Sequence, residues 1–144
     1  MLYLDTSALL KLYLLEAGSS AVQARIVAQD LPLPVWEIQE LEFVIALRLK
    51  AFWGELLPDQ AEAQIARFED RRRRGQYVYP DIDRSELLNT FRRLSRETPR
   101  LGCRTMDILH VACALWISAS EFLSFDQRQI TLARHAGLKV AVLA

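Results

Sequence analysis

Four acidic residues stand at positions where their carboxylates could do chemistry together. Asp5 follows the apolar run LYL, and Asp126 ends the run FLSFD, so each is placed where a strand passes into a helix. Glu42 lies in the middle of the helical segment WEIQELEFVIALRLKAFW, and Asp107 lies in the first turn of RTMDILHVACALW. Two strand ends and two helices therefore each supply one carboxylate.

Four carboxylates in one place need a cation. Two unit charges 4 Å apart repel each other by about 4 kcal/mol at an effective dielectric constant of 20. Oxygen ligands without a Cys or His set favour Mg²⁺ or Mn²⁺ over zinc. These ions polarise a phosphoryl oxygen and lower the pKa of bound water, which suits phosphodiester hydrolysis. The acids thus predict a metal-dependent nuclease.

Three of the acids also have a simple structural interpretation. Asp5 and Asp126 can act as helix N-caps, which are worth about 1 kcal/mol each. Asp107 can stabilise the dipole at its helix N-terminus. His110, three residues after Asp107, can join the site or can be a packed helix histidine that bonds a carbonyl or carboxylate.

Glu42 is harder to explain by structure alone. Its neighbours on the same helix face are largely apolar, and an isolated carboxylate there would cost several kcal/mol or stay protonated. A cation accounts for it directly. A basic partner such as Arg48 or Lys50 is the alternative.

The elements that position these acids follow from apolar spacing. We expect strands at 2–5, 33–35, 76–79, 121–124 and 139–143, and helices at about 7–15, 19–29, 36–53, 58–74, 83–97, 105–118 and 127–136. This order is typical of an α/β fold with a mostly parallel central sheet of about five strands wrapped by about seven helices. Ligands bind at the carboxyl edge of such sheets, where Asp5 and Asp126 fall.

Length and composition limit the possible classes of protein. A chain of 144 residues with 51% hydrophobic residues is the size of one domain, so we expect a single domain over 1–144. Eighteen basic residues balance eighteen acidic ones, so any nucleic-acid contact must come from a local patch. The opening MLYLDTS lacks a secretory pattern, and no apolar run is long enough to span a membrane. We therefore expect a cytoplasmic protein with Cys103 and Cys113 reduced.

The four acidic segments resemble a known family when they are taken in order. LYLDTSALLKLYLLE, ELEFVIALRLK, RTMDILHVACAL and FLSFDQRQITLARHAGL are similar to the successive motifs of the PIN-domain family, particularly the VapC-type toxins of type II toxin–antitoxin pairs. The family's first acid matches Asp5, and its helix glutamate matches Glu42 in E-x-x-x-A-L-R. Its third acid matches Asp107 in D-x-L-H-x-A, and its fourth matches Asp126.

The resemblance implies a fold, an activity and partners. It implies a three-layer α/β fold and an endoribonuclease that binds Mg²⁺ or Mn²⁺ through the four acids and activates water for in-line attack. It also implies a cognate antitoxin that inserts a peptide near the acidic pocket, and a homodimer. Thr6 and Ser7 resemble positions that help hold the metal or its water, although a role at the helix start is the alternative.

Two features depart from the family's pattern or leave its alignment open. Ile38 stands where many relatives carry a small polar residue near the metal. Glu37 and Glu40 offer rival alignments for the helix acid, but the spacing to the following A-L-R favours Glu42.

Contacts to RNA are predicted from clusters of arginine. The set beside the presumed site is the better candidate: Arg92, Arg96, Arg100 and Arg104. A second run, Arg71 to Arg74, could grip phosphate or could be a solvated helix C-terminus. Trp36, Trp53 and Trp116 could stack bases, or could belong to the core or a dimer interface.

Two other functions compete with the ribonuclease. One is a PIN-like scaffold that binds a partner without catalysis, which the retention of all four acids argues against. The other is a receiver-like signalling domain, which would need an acidic pair after the first strand, where Asp5 is instead followed by Thr6.

Overall fold

The computed structural model describes residues 1–29 and 32–143. Its strands are β1 (Leu2–Leu4), β2 (Leu33–Pro34), β3 (Tyr77–Val78) and β4 (Glu121–Leu123). Its helices are α1 (Thr6–Leu10), α2 (Ser19–Val27), α3 (Glu37–Phe52), α4 (Pro58–Arg73), α5 (Arg84–Ser95), α6 (Thr98–Leu101), α7 (Thr105–Trp116) and α8 (Gln127–His135).

The strands pair in parallel. Tyr3 of β1 lies opposite Phe122 of β4, and Leu33 of β2 lies opposite Tyr77 of β3. β1 also lies beside β2, so the two strand pairs are neighbours in space. The carboxyl ends of parallel strands meet at one edge, which places the residue after β1 close to the loop after β4.

The alternation of side chains along the strands separates the core into two layers. Leu2 and Leu4 of β1, with Leu123 of β4, pack into a cluster with α1, α3 and α4. Tyr3 and Phe122 point the other way, into a cluster with α5, α7 and α8. Because both faces are covered, these strands read as continuous apolar runs. The predicted three-layer α/β architecture is confirmed.

The structure corrects the prediction for the last strand. Instead of a strand over 139–143, the chain forms one parallel bridge between Val140 and Phe122. Phe122 N donates to Lys139 O and Ala141 N donates to Phe122 O, both at 2.8 Å, and the ladder then ends. The described residues therefore contain four strands rather than about five.

Two helix predictions are also corrected. The helix expected over 7–15 stops at Leu10, because Lys11, Leu12 and Tyr13 bond to carbonyls three residues back, which is the tighter 3₁₀ pattern. The short helix α6 was not predicted, since four residues are too few to show helical periodicity. With it, the described residues contain eight helices rather than about seven.

Several helix ends follow the predicted local chemistry. Pro58 starts α4, and the Asp83 side chain caps α5 by accepting from Glu86 N at 3.0 Å. Gly137, after α8, has φ +88°, a conformation that glycine adopts at little cost. Cys103 and Cys113 are free and buried. None of the described helices combines the length and apolarity required to cross a membrane.

Phe68 lies at the centre of a cluster of four aromatic rings in one core layer. Its ring lies 4.9 Å from the rings of both Phe43 and Tyr77, and its side chain is fully buried. We expect Phe68→Ala to lower the free energy of unfolding by about 3–5 kcal/mol, measured by urea denaturation. Val27→Ala, at a helix position that is 86% exposed, is the control and should change it by less than about 0.5 kcal/mol. Equal effects would contradict this assignment of the core.

Candidate functional site

All four predicted acids line a single pocket of about 520 Å³ at the carboxyl edge of β1 and β4. Asp5 comes from the end of β1, Glu42 from α3, Asp107 from α7, and Asp126 from the start of α8. Thr6, Ser7 and Arg104 also line it. Four carboxylates separated in sequence thus share one cavity.

Asp5 is fully buried and held by three donors. Its carboxylate accepts from Ala8 N at 2.9 Å, from Ser7 Oγ at 2.7 Å and from Ser124 Oγ at 2.7 Å. It is therefore also the N-cap of α1. Burial raises the pKa of Asp5 above its ordinary value of 3.8, although these hydrogen bonds oppose the rise.

Two serine hydroxyls connect the ends of β1 and β4. Ser124 Oγ donates to Asp5 and accepts from Asp126 N at 2.9 Å. Ser7 Oγ donates to Asp5 and accepts from Phe125 N at 2.9 Å. These bonds fix the loop that carries Asp126 against the carboxylate of Asp5.

Asp126 caps α8 and is paired with an arginine. Its Oδ1 accepts from Arg128 N at 2.8 Å, and its Oδ2 lies 3.4 Å from the Arg128 guanidinium. Burial acts to raise the pKa of Asp126, but the hydrogen bonds and charge of Arg128 outweigh it and lower the pKa below 3.8. Asp126 is thus ionised more readily than Asp5.

Asp107 is 3% exposed and sits in the first turn of α7. Its Oδ2 accepts from Arg104 N at 2.8 Å and so satisfies the backbone donor of the residue that precedes α7. Its Oδ1 accepts from Gln129 Nε2 at 3.3 Å. Asp107 therefore stabilises the N-terminus of α7 and also lines the pocket.

Glu42 has a histidine partner rather than the suggested Arg48 or Lys50. Its Oε1 lies 2.7 Å from His110 Nε2 and accepts from Thr6 Oγ1. Arg48 and Lys50 instead pair with Glu62 and Glu55. Burial acts to raise the pKa of Glu42, but the bonds from His110 and Thr6 lower it below 4.5. Both bonds use Oε1, and Oε2 has no hydrogen-bond partner among the described residues.

His110 belongs to a chain of hydrogen bonds that runs into the core. Trp36 Nε1 donates to Tyr3 OH at 3.2 Å, and Tyr3 OH lies 2.7 Å from His110 Nδ1. Burial raises the pKa of Tyr3 well above 10, so this hydroxyl keeps its proton and can donate it to Nδ1. Nε2–H is then the donor to Glu42. His110 therefore serves Glu42 rather than its helix neighbour Asp107.

The predicted RNA-contacting arginines do not lie together. Arg104 lines the pocket, with Nε 3.9 Å from Asp107 Oδ2. Arg100 pairs with Glu97, and Arg92 bonds Asn89 on its own helix. Arg96 lines a different cavity, beside Glu97.

The remaining predicted groups lie outside the pocket. Of the three glutamates on α3, Glu40 is bound by Arg72 and Tyr79, Glu37 lines another cavity, and only Glu42 reaches the acidic pocket. The run Arg71 to Arg74 makes contacts within the chain, among them the pairing of Arg74 with Asp70 at 2.9 Å. Trp36 is buried, whereas Trp53 and Trp116 are exposed.

The pocket fits a hydrated divalent cation better than a fully ligated one. In residues 1–29 and 32–143 no three His, Cys, Asp or Glu side chains converge closely enough to hold an ion by themselves. Mg²⁺ keeps several waters and is commonly bound by one or two carboxylates, so this spacing suits it. The donor set is all oxygen, and it includes a buried ionisable group, Asp5, that a positive charge would stabilise.

Sequence reasoning missed three residues of the site. Ser124 stands two residues before Asp126. Gln129 stands three residues after Asp126, and an offset of three places two residues on the same face of a helix. These offsets from a predicted acid could have identified both. Tyr3 reads as an ordinary buried strand residue, and no local pattern marks its bond to His110.

Asp5 and Asp126 should respond in opposite ways to loss of charge. The pKa of Asp5 is 3.8 in the unfolded chain and higher in the folded chain. The contribution of Asp5 to stability therefore falls as the pH rises from 3.8 through the pKa of the folded state. The lowered pKa of Asp126 contributes stability above 3.8 that is lost as pH falls. In EDTA at pH 7, Asp5→Asn should melt at or above the wild-type temperature, and Asp126→Asn below it.

Asn caps helices about as well as Asp, so the N-cap contribution cancels in both variants. Calorimetry at a series of pH values from 7 to below 3.8 measures the two differences: the Asp5 difference should shrink as the pH falls towards 3.8, and the Asp126 difference should shrink below 3.8. A clearly lower melting temperature for Asp5→Asn at pH 7 would show that its ionised form is not disfavoured by burial.

The chain was compared with known families and proteins. The model of the PIN domain matches residues 2–136. No curated protein matches the sequence.

Solved structures share the fold at low sequence identity. VapBC-1 from nontypeable Haemophilus influenzae aligns with a TM-score of 0.63 and 17% identity over 98% of this chain and 97% of the other. FitAcB from Neisseria gonorrhoeae aligns with a TM-score of 0.64 and 15% identity over 99% and 97%. With the family model covering nearly all of its length, the chain belongs to the PIN-domain family.

Proposed function

We propose that this chain, as a single PIN domain over 1–144, is a divalent-metal-dependent endoribonuclease of the VapC toxin type. The observation that carries the proposal is that Asp5, Glu42, Asp107 and Asp126 line one pocket in a chain of this family. The catalytically inactive scaffold is the alternative. The family match leaves no support for a receiver-like domain.

Asp5, Asp107 and Asp126, with Glu42, would hold Mg²⁺ or Mn²⁺. When bound, such a cation polarises a phosphoryl oxygen and makes water a better nucleophile near neutral pH. Asp5 and Asp107 have their orientations fixed by backbone amides, which suits carboxylates that position a ligand. Ser7 supports Asp5 in the same way.

Glu42 is the carboxylate best arranged to orient the attacking water. His110 Nε2 and Thr6 Oγ1 hold Oε1, which leaves Oε2 to accept from a water in the pocket that Glu42 lines. Since these donors lower the pKa of Glu42, it stays ionised and accepts a hydrogen bond from water at neutral pH. His110 and Thr6 are positioning residues in this scheme.

Arg104 is the best placed of the predicted RNA contacts. It lines the pocket, and its side chain is 70% exposed, so the guanidinium can reach a phosphate beside Asp107. Arg92, Arg96 and Arg100 would act, if at all, on more distant parts of an RNA strand.

The proposed partners follow from the VapC-type resemblance. The likeness to VapBC-1 and FitAcB supports a cognate antitoxin protein that covers the acidic pocket. We further propose a homodimer, as the VapC-type resemblance implies, and a cytoplasmic location.

An exposed apolar face of α3 is our candidate dimer surface. Its members recur every three or four residues along α3 and continue into the following turn: Ile38, Leu41, Ile45, Leu49, Phe52, Trp53 and Leu57. Together they expose the equivalent of about four whole side chains, or roughly 800 Å² at about 200 Å² each. A standard interface buries about 800 Å² per partner, which this face supplies.

The central test of the proposed function is cleavage of RNA by the purified chain with Mn²⁺ or Mg²⁺. Asp107→Asn should reduce cleavage by at least about a hundredfold, because the substitution removes a charged ligand but keeps the side-chain shape. Asp83→Asn, which changes a capping acid outside the pocket, should cleave like the wild type.

EDTA should abolish the reaction, and added Mn²⁺ should restore it. Cleavage that survives EDTA, or that Asp107→Asn leaves intact, contradicts the metal mechanism. A folded chain with no cleavage under any divalent metal supports the inactive scaffold instead.

The dimer surface predicts a change in molecular mass. Wild-type protein should sediment as a dimer at micromolar concentration, and Ile45→Lys, at the centre of the α3 face, should sediment as a monomer with an unchanged circular dichroism spectrum. Val27→Lys is the matched control, since Val27 is exposed on α2 and lies off this face. A wild-type monomer, or a dimer that survives Ile45→Lys, would refute this surface.

A further inference from the structure

Gln129 is a buried glutamine at the acidic pocket, and only one end of its side-chain amide has a hydrogen-bond partner. It is 6% exposed and lines the pocket beside Asp107 and Asp126. Its Nε2 donates to Asp107 Oδ1 at 3.3 Å. Its Oε1 is buried and has no hydrogen-bond partner among the described residues.

Packing alone does not require an amide at this position. Gln129 lies on the buried face of α8, one turn before Leu132 and Ala133, which are fully buried. An apolar side chain there would continue the amphipathic pattern of the helix. A buried acceptor without a partner opposes folding, so its presence needs another explanation.

The bond to Asp107 determines which end of the amide is left over. A carboxylate oxygen only accepts, so the end that meets Asp107 must be Nε2, and Oε1 is the opposite end. An amide oxygen can ligate a hard cation or accept from its waters. Because it carries no charge, it adds a ligand without adding to the repulsion among the four acids.

We propose that Gln129 Oε1, on α8, is an additional, uncharged oxygen of the cation site. The inference rests on the proposed metal-dependent function. In the metal-free chain Gln129 keeps an unsatisfied acceptor, and binding of the hydrated cation satisfies it. Gln129 is then a metal-site residue, and its contact with Asp107 couples it to that acid.

Binding of Mn²⁺ to the full chain, measured by calorimetry and by electron paramagnetic resonance, tests the proposal. Gln129→Met removes the oxygen at similar volume and should weaken Mn²⁺ binding by about tenfold. Gln129→Glu keeps an oxygen at the same place and should bind Mn²⁺ at least as tightly as the wild type. Gln127→Met, an exposed glutamine of the same helix, should bind like the wild type.

The melting temperature without metal separates this role from a purely structural one. In EDTA, Gln129→Met removes the unsatisfied acceptor but also the donor to Asp107, and these two effects oppose each other, so its melting temperature should stay close to that of the wild type. Wild-type Mn²⁺ affinity together with a lowered melting temperature would show that the glutamine is only structural and would overturn the proposal. Weak binding in Gln129→Glu as well would assign the effect to the Nε2–H donor, which also overturns it.

Different experimental results would refute the role of Gln129 and the proposed metal-dependent function. If the wild type binds Mn²⁺ and cleaves RNA, and Gln129→Met does both equally well, the role of Gln129 is refuted and the proposed function stands. If the wild type neither binds Mn²⁺ nor cleaves RNA, the proposed function is refuted, and the role of Gln129 with it.

Discussion

The hydrogen bond from Asp5 N to Leu123 O, 3.0 Å long, carries the parallel pairing of β1 and β4 one residue beyond the strands and into the pocket. It sets the height of Asp5 relative to the loop that bears Asp126. α3 and α7 then pack on opposite faces of these strands and direct Glu42 and Asp107 to the same edge. A shift of β1 by one residue would exchange its two faces and turn Asp5 away, so the register of this pair fixes the site.

The four carboxylates of the pocket are stabilised by different kinds of hydrogen-bond donor. Asp5 relies on neutral donors and is the most deeply buried, Asp126 relies on Arg128, and Glu42 relies on His110 and a hydroxyl. Asp107 uses a backbone amide and an amide side chain. These partners donate to the carboxylates without neutralising most of their charge. The pocket as a whole therefore keeps a strong attraction for cations.

Much of this arrangement could be predicted from the sequence, because it depends on local patterns. Strand-to-helix transitions located Asp5 and Asp126, and the apolar surroundings of Glu42 marked that residue as unusual. The partners of these acids were harder to predict. Ser124 reaches Asp5 across 119 residues, and Tyr3 reaches His110 across 107, so neither contact leaves a periodic signal. The last strand was overestimated since VAVL is apolar in sequence, although its end is exposed.

The parallel pairing of β1 with β4 joins the two ends of the chain, and this has a consequence for synthesis. Asp5 is made long before β4, Ser124 and Asp126, since Ser124 lies 119 residues further along the chain. Contacts between such distant segments form late, after the chain between them has been ordered. A growing polypeptide therefore has an incomplete pocket while it emerges from the ribosome. For the proposed ribonuclease, the pocket is complete only after β4 and Asp126 have been made. The fold itself therefore delays cleavage of RNA until late in the synthesis of each chain.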